Sequence, residues 1–152
     1  MNPGHLYIRR AVFIDASPAR VWEEFTSFER IHGWLGIGHT LHQLEPQVGG
    51  TADFSIDLDG SEEHFGGPVL VVNPQSELTF EVRWASPAMD SGGPMRWTYL
   101  LSEFRGGTIV EFYQYGFDEL PEIDGEDILS YESAWQPNHL VRLREIIDSG
   151  AG

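Results

Sequence analysis

Four side chains stand out as candidate general acids and bases: the adjacent Glu63 and His64, and Tyr99 and His139 farther along. A proton-transfer group must come within hydrogen-bond reach of its substrate, so these residues matter only if the fold gathers them at one cavity. His139 stands on an apolar helical stripe, where it is either a satisfied core histidine or a buried polar group that titrates near neutral pH. The acidic run Asp118–Asp127 reads as a solvated face rather than a catalytic carboxylate pair. His39 and His42 form an H-x-x-H pair in a glycine-bounded loop, with His32, His64 and His139 as possible complements. Zinc needs three or four converging ligands, so the expectation is exposed loop histidines, no metal and no cofactor. No G-x-S-x-G, phosphate-binding glycine loop or cysteine nucleophile occurs, and the paired glycines are explained by turns.

Composition narrows the function classes further. The 152 residues fit one domain, 1–152, long enough to bury a core without a disulfide or metal staple. The absence of cysteine removes thiol chemistry, disulfides and cysteine–zinc sites. The N-terminus has no signal-peptide pattern, and no stretch approaches the roughly 18 apolar residues of a membrane span, so a cytoplasmic protein is expected. Nine Lys+Arg, all of them arginine, stand against 24 Asp+Glu for a net charge of −15. That balance disfavours nucleic acid and anionic membrane surfaces as partners. Solubility accounts for it, with a basic protein partner as the alternative.

These residues need elements to position them. Leu6–Asp15 reads as a first strand. Ser17 and Pro18 start a helix over Ala19–Thr26, and a second helical turn covers Phe28–His32 and ends at Gly33. Gly36–Gly50 reads as a loop. Alternation then gives strands at Ala52–Leu58, His64–Val72, Leu78–Trp84, Met95–Phe104 and Thr108–Phe117, joined by turns such as Asp59–Gly60 and Gly106–Gly107. Gly66–Gly67–Pro68 predicts a bulge or an edge position. A long amphipathic helix follows over Gly125–Ser149, with Trp135, His139, Leu143 and Ile147 at i,i+4 steps and a kink at Pro137. The expected fold is therefore α+β: a curved six-stranded antiparallel sheet wrapped around a long C-terminal helix, with two short helices after the first strand.

Several stretches carry a family resemblance. IDASPARVWEEFT at 14–26, GWLG at 33–36, VGGT at 48–51, PVLVVNP at 68–74, LTFEVRW at 78–84, GGTIVEF at 106–112, Gly116–Phe117 and WQPNHLVRL at 135–143 run in order over about residues 8–147. The chain resembles the helix-grip SRPBCC superfamily (START and birch-pollen-allergen-like), in the branch named for activators of the heat-shock chaperone ATPase (AHSA-type). That resemblance implies the helix-grip fold and functions ranging from lipid or hormone binding to polyketide cyclisation.

In this arrangement many of Trp34, Phe54, Trp84, Trp97, Tyr99, Phe112, Tyr131 and Trp135 face the helix-covered side of the sheet, with His139 as a possible polar group among them. They form either a packed aromatic core or the lining of a cavity for a hydrophobic or aromatic small molecule. Binding without catalysis is the leading expectation. The alternatives are a cyclase- or hydratase-like enzyme using Glu63, His64, Tyr99 or His139, and a chaperone-interacting module. Oligomeric state is left open.

Overall fold

The structure, a computed structural model, describes residues 1–36 and 38–150. Seven antiparallel strands form one sheet in the order β1-β7-β6-β5-β4-β3-β2. They are β1 (Ile8–Ile14), β2 (Thr40–Leu44), β3 (Thr51–Leu58), β4 (Ser61–Asn73), β5 (Glu77–Trp84), β6 (Met95–Phe104) and β7 (Gly107–Tyr115). The strands β2 to β7 are a meander, and β1 closes onto β7 at the far edge. The chain crosses between the two edges through α1 (Pro18–Trp22), a 3₁₀ turn (Glu23–Phe25) and α2 (Phe28–Leu35). Two helices end the fold, α3 (Gly125–Ala134) and α4 (Leu140–Asp148). No helix among the described residues is long and apolar enough to cross a membrane.

The helix starts follow their caps. Ser17 Oγ accepts from Arg20 N at 3.2 Å, with Pro18 as the first helical residue, and Ser27 Oγ accepts from Arg30 N at 3.3 Å. Asp124 and Asp127 form a reciprocal capping box at α3, worth about 1 kcal/mol in such positions. The second helix runs past Gly33 to Leu35, with Trp34 and Leu35 buried in its last turn. A Cβ at Gly33 would stand 3.7 Å from Ile146 Cδ1, an ordinary contact between packed helices.

The helix-grip arrangement is present, with three differences from the sequence expectation. The sheet has a seventh strand, β2, inside the stretch read as a loop. Its register slips between Leu41 and Gln43, which breaks the alternation that marks a strand. The long terminal helix is two helices, because Pro137 lacks an N–H and disfavours helical backbone in the residue before it. Trp135 is the C-cap of α3, the Gln136–Pro137 bond is cis, and His139 is the N-cap of α4. Asn138 Nδ2 donates to Ala11 O at 3.1 Å and its Oδ1 accepts from Leu140 N at 2.9 Å, so one residue ties the break to β1 and starts α4. Lastly, Gly66–Gly67–Pro68 lies in an interior strand rather than at an edge, and the bulge falls just beyond it, between Val69 and Val71. Gly66 has φ +155°, and a Cβ there would overlap the Ala52 carbonyl of the neighbouring strand.

Residues of one parity along β3–β7 turn a continuous aromatic layer toward the helices. Phe54 and Phe65 stack at 5.2 Å, and Phe80, Trp97, Tyr99 and Phe112 continue the layer. Phe25 and Trp34 close one end of it, with Trp34 centred 5.4 Å from Tyr99 and its Nε1–H donating to Glu24 O at 3.0 Å. The buried Leu140, Leu143 and Ile147 bring α4 into the same core against β1 and α2.

Candidate functional site

Trp135 organises the middle of the concave face. Its ring lies 4.8 Å from Trp97, 4.4 Å from Phe112 and 4.5 Å from His139. The indole Nε1–H donates to Gln114 Oε1 at 2.7 Å, and its backbone carbonyl accepts from Arg10 Nε at 3.2 Å. Arg10 also donates to Glu132 O at 2.9 Å, so β1 holds the C-terminal end of α3.

Beside Trp135 is a chamber of about 80 Å³, walled by His39, Ile56, Phe65, Val82, Trp84, Met95, Trp97, Gln114, Tyr131, Ala134 and Trp135. Most of these groups are apolar. The wall formed by α3 is the least embedded part of the core, since none of the α3 residues is buried. Tyr131 secures it by accepting from Trp84 Nε1 at 2.7 Å and by stacking 5.8 Å from Phe117.

Two enclosed polar atoms of chamber-wall residues, His39 Nε2 and Trp97 Nε1, have no hydrogen-bond partner among the described residues. The Leu35 backbone lies near the His39 ring and partly offsets the effect of burial, and with the ring proton on Nδ1 the enclosed Nε2 is a bare acceptor. Burial lowers the His39 pKa to about 4, so the ring is neutral at neutral pH. The two rings meet edge to face with centroids 5.9 Å apart, so one acceptor and one N–H donor lie enclosed and unpaired in a largely apolar wall.

Behind the chamber, His139 Nε2 and the Tyr99 hydroxyl lie 3.0 Å apart, both fully enclosed. Burial first, then the nearby His39 and Arg10, lower the His139 pKa to about 3. Burial raises Tyr99 well above its ordinary value. Both groups are neutral, so the pair is a hydrogen bond rather than an ion pair. With Tyr99 as donor, the only unsatisfied group is His139 Nδ1–H. The reverse assignment would strand both the tyrosine proton and the Nδ1 lone pair.

The residues singled out from sequence divide accordingly. Trp84, Trp97, Tyr131 and Trp135 reach the chamber wall. Trp34, Phe54, Phe112, Tyr99 and His139 are core groups packed around it. Glu63 and His64 do not join Tyr99 and His139. Glu63 accepts from Ser61 Oγ at 2.6 Å near the start of β4, and His64 faces the opposite side of the sheet from Phe65, between Asp53 and Glu62. No carboxylate lines the chamber among the described residues. His39, read as an exposed loop histidine, is its main polar group. The sequence carries no periodic signal for this, because the residue lies just before a bulged strand.

The family model for "Activator of Hsp90 ATPase homolog 1-like protein" matches residues 15–147. No curated protein matches the chain. Among solved structures, protein CV1439 from Chromobacterium violaceum is similar at 24% identity and TM-score 0.69, with 93% of this chain and 96% of that one covered. The solution structure of the Aha1 dimer from Colwellia psychrerythraea is similar at 17% identity and TM-score 0.67, with 97% and 100% covered. DynU16, a putative protein in the dynemicin biosynthetic locus, is similar at 21% identity and TM-score 0.68. The match covers 96% of this chain and 48% of that one. At these identities the likeness is one of fold.

Proposed function

The chain belongs to the activator of Hsp90 ATPase homolog 1-like family, and on that premise we propose that it binds a small, largely apolar molecule bearing one hydroxyl group in the chamber between the sheet and α3. Hydrophobic ligands are common on this fold. The observation that carries the reading is the unpaired His39 Nε2 and Trp97 Nε1–H in an apolar wall. A ligand hydroxyl donates to the first and accepts from the second. Each such bond contributes about 1 kcal/mol net, and each also relieves a buried polar group left without a partner. At about 80 Å³ the chamber takes only a small ring. Pockets for larger ligands run to roughly 300–1,000 Å³, so a larger molecule requires α3 to swing outward.

Native mass spectrometry of gently purified protein, compared with its denatured mass, tests this reading. A noncovalent adduct that disappears on denaturation is expected, and incubation with p-cresol should produce one where none co-purifies. Equal native and denatured masses after incubation with p-cresol would count against the assignment.

A further inference from the structure

On the opposite face of the sheet, three strands bring a second set of side chains together. The rings of His42 on β2 and His64 on β4 stack with centroids 5.4 Å apart and planes at 24°. One nitrogen of each and a carboxylate oxygen of Glu62 all lie within 4.8 Å of one another. His64 Nε2 is 2.8 Å from Glu62 Oε1. The other contacts of the two rings are oriented by the strand between them: His64 Nδ1 meets Asp53 Oδ1 at 3.2 Å, and His42 Nε2 meets Ser55 Oγ at 2.7 Å. The sequence expectation paired His42 with His39. Instead the register slip of β2 falls at His42, so His39 faces the chamber while His42 faces outward.

We propose that His42, Glu62 and His64 form a binding site for a divalent transition-metal ion of the zinc type, with three protein ligands and a coordination position left to water. Two imidazoles and one carboxylate are a zinc donor set, and catalytic-type zinc sites have three protein ligands. The same set suits nickel and copper but not magnesium or calcium, which prefer all-oxygen shells. Asp53 and Ser55 supply the outer contacts that fix imidazole ligands in their working orientation, an arrangement found at most histidine–metal sites. Hydrogen bonds to Asp53 and then Glu62 raise the His64 pKa above its ordinary value. Open grooves of about 540 and 420 Å³ reach Glu62 and His64 respectively, giving an ion access from solvent. A bound ion joins β2 to β4 across β3, two strands that share no ladder of their own.

The test is calorimetric titration of Zn²⁺ into chelator-treated chain lacking any histidine tag, near pH 7.5, with Mg²⁺ as the hard-ion control. Wild type is expected to bind one Zn²⁺ saturably, with a thermal midpoint that rises with Zn²⁺ and no competition from Mg²⁺. Both His42→Ala and His64→Ala should weaken binding at least tenfold, and Asp53→Asn by about tenfold, the usual effect of losing an outer-shell partner. None of these side chains is buried, and unchanged metal-free thermal midpoints will show that the variants fold. His5→Ala, at another exposed histidine, should bind as wild type. Wild-type affinity in both His42→Ala and His64→Ala, Mg²⁺ competing equally with Zn²⁺, or no saturable Zn²⁺ binding would each overturn the proposal.

Discussion

His39 and Trp97 meet edge to face in the chamber wall with ring centroids 5.9 Å apart, and neither His39 Nε2 nor Trp97 Nε1 has a hydrogen-bond partner among the described residues. Buried polar groups in folded proteins are nearly always paired, so two unpaired ones on adjacent rings are the feature on which the proposed ligand site rests. If a ligand hydroxyl completes both bonds, His39→Leu should bind p-cresol about fivefold more weakly than wild type, the equivalent of one hydrogen bond. Toluene binding should change little. The comparison requires only fluorescence titration of both ligands against both proteins. Equal losses for p-cresol and toluene would mean that His39 supplies packing and not polarity.

Tyr131 is the latch of α3. Its hydroxyl accepts from Trp84 Nε1 at 2.7 Å, and no α3 residue is buried. Tyr131→Phe keeps the ring stacked on Phe117 and deletes that bond. Amide hydrogen exchange in α3 should then speed up about fivefold, in line with a loss of about 1 kcal/mol, while α4 stays protected by its buried Leu140, Leu143 and Ile147. Equal acceleration in both helices would show global destabilisation instead of an opening of α3.

The fold stores two neutral histidines. Burial lowers the pKa of His39 to about 4 and that of His139 to about 3, both below the ordinary imidazole value of 6.5. The unfolded chain therefore binds more protons than the folded one between these values. Stability is full above about pH 6.5 and falls as pH drops toward the folded values. The slope reaches about 1.4 kcal/mol per pH unit for each histidine. Denaturation midpoints measured from pH 7 to 4.5 should show this decline, and His39→Leu should remove close to half of the histidine-dependent slope. A flat profile over that range would contradict the burial of neutral imidazoles.

Trp135 is structural before it is functional. It contacts Trp97, Phe112 and His139, and it donates to Gln114. Trp135→Ala should cost about 3–5 kcal/mol, a large share of a typical domain's stability. Chemical denaturation will measure it. A loss under 1 kcal/mol would mean that α3 and the 135–139 turn do not anchor the core. For the same reason Trp97→Phe is a better probe of binding than truncation at Trp135.

Much of the architecture was legible in the sequence because period-two alternation survives wherever a strand has one buried face. Ala52, Phe54 and Ile56, and Leu78, Phe80 and Val82, turn inward as their spacing indicates. The signal failed at two irregularities. In β2 the buried Leu41 and Leu44 are three residues apart, on either side of the bulge, so no alternation marks the strand. In the C-terminal region the i,i+4 stripe ran straight through Pro137. Trp135 and His139 do meet, but across a turn instead of along one helix. The site was half legible for a related reason. Large aromatics reveal a concave face by composition, whereas His39 and the His42–Glu62–His64 group depend on which way a bulged strand turns its side chains.

The central claim is that the space beside Trp97 and His39 is a ligand chamber. Titrating ¹⁵N-labelled protein with p-cresol while following the five tryptophan indole N–H resonances tests it most directly. A saturable shift of the Trp97 resonance is predicted, with smaller shifts at Trp84 and Trp135 and none at Trp22. An unmoved Trp97 resonance at p-cresol concentrations that saturate any other site on the protein would contradict it.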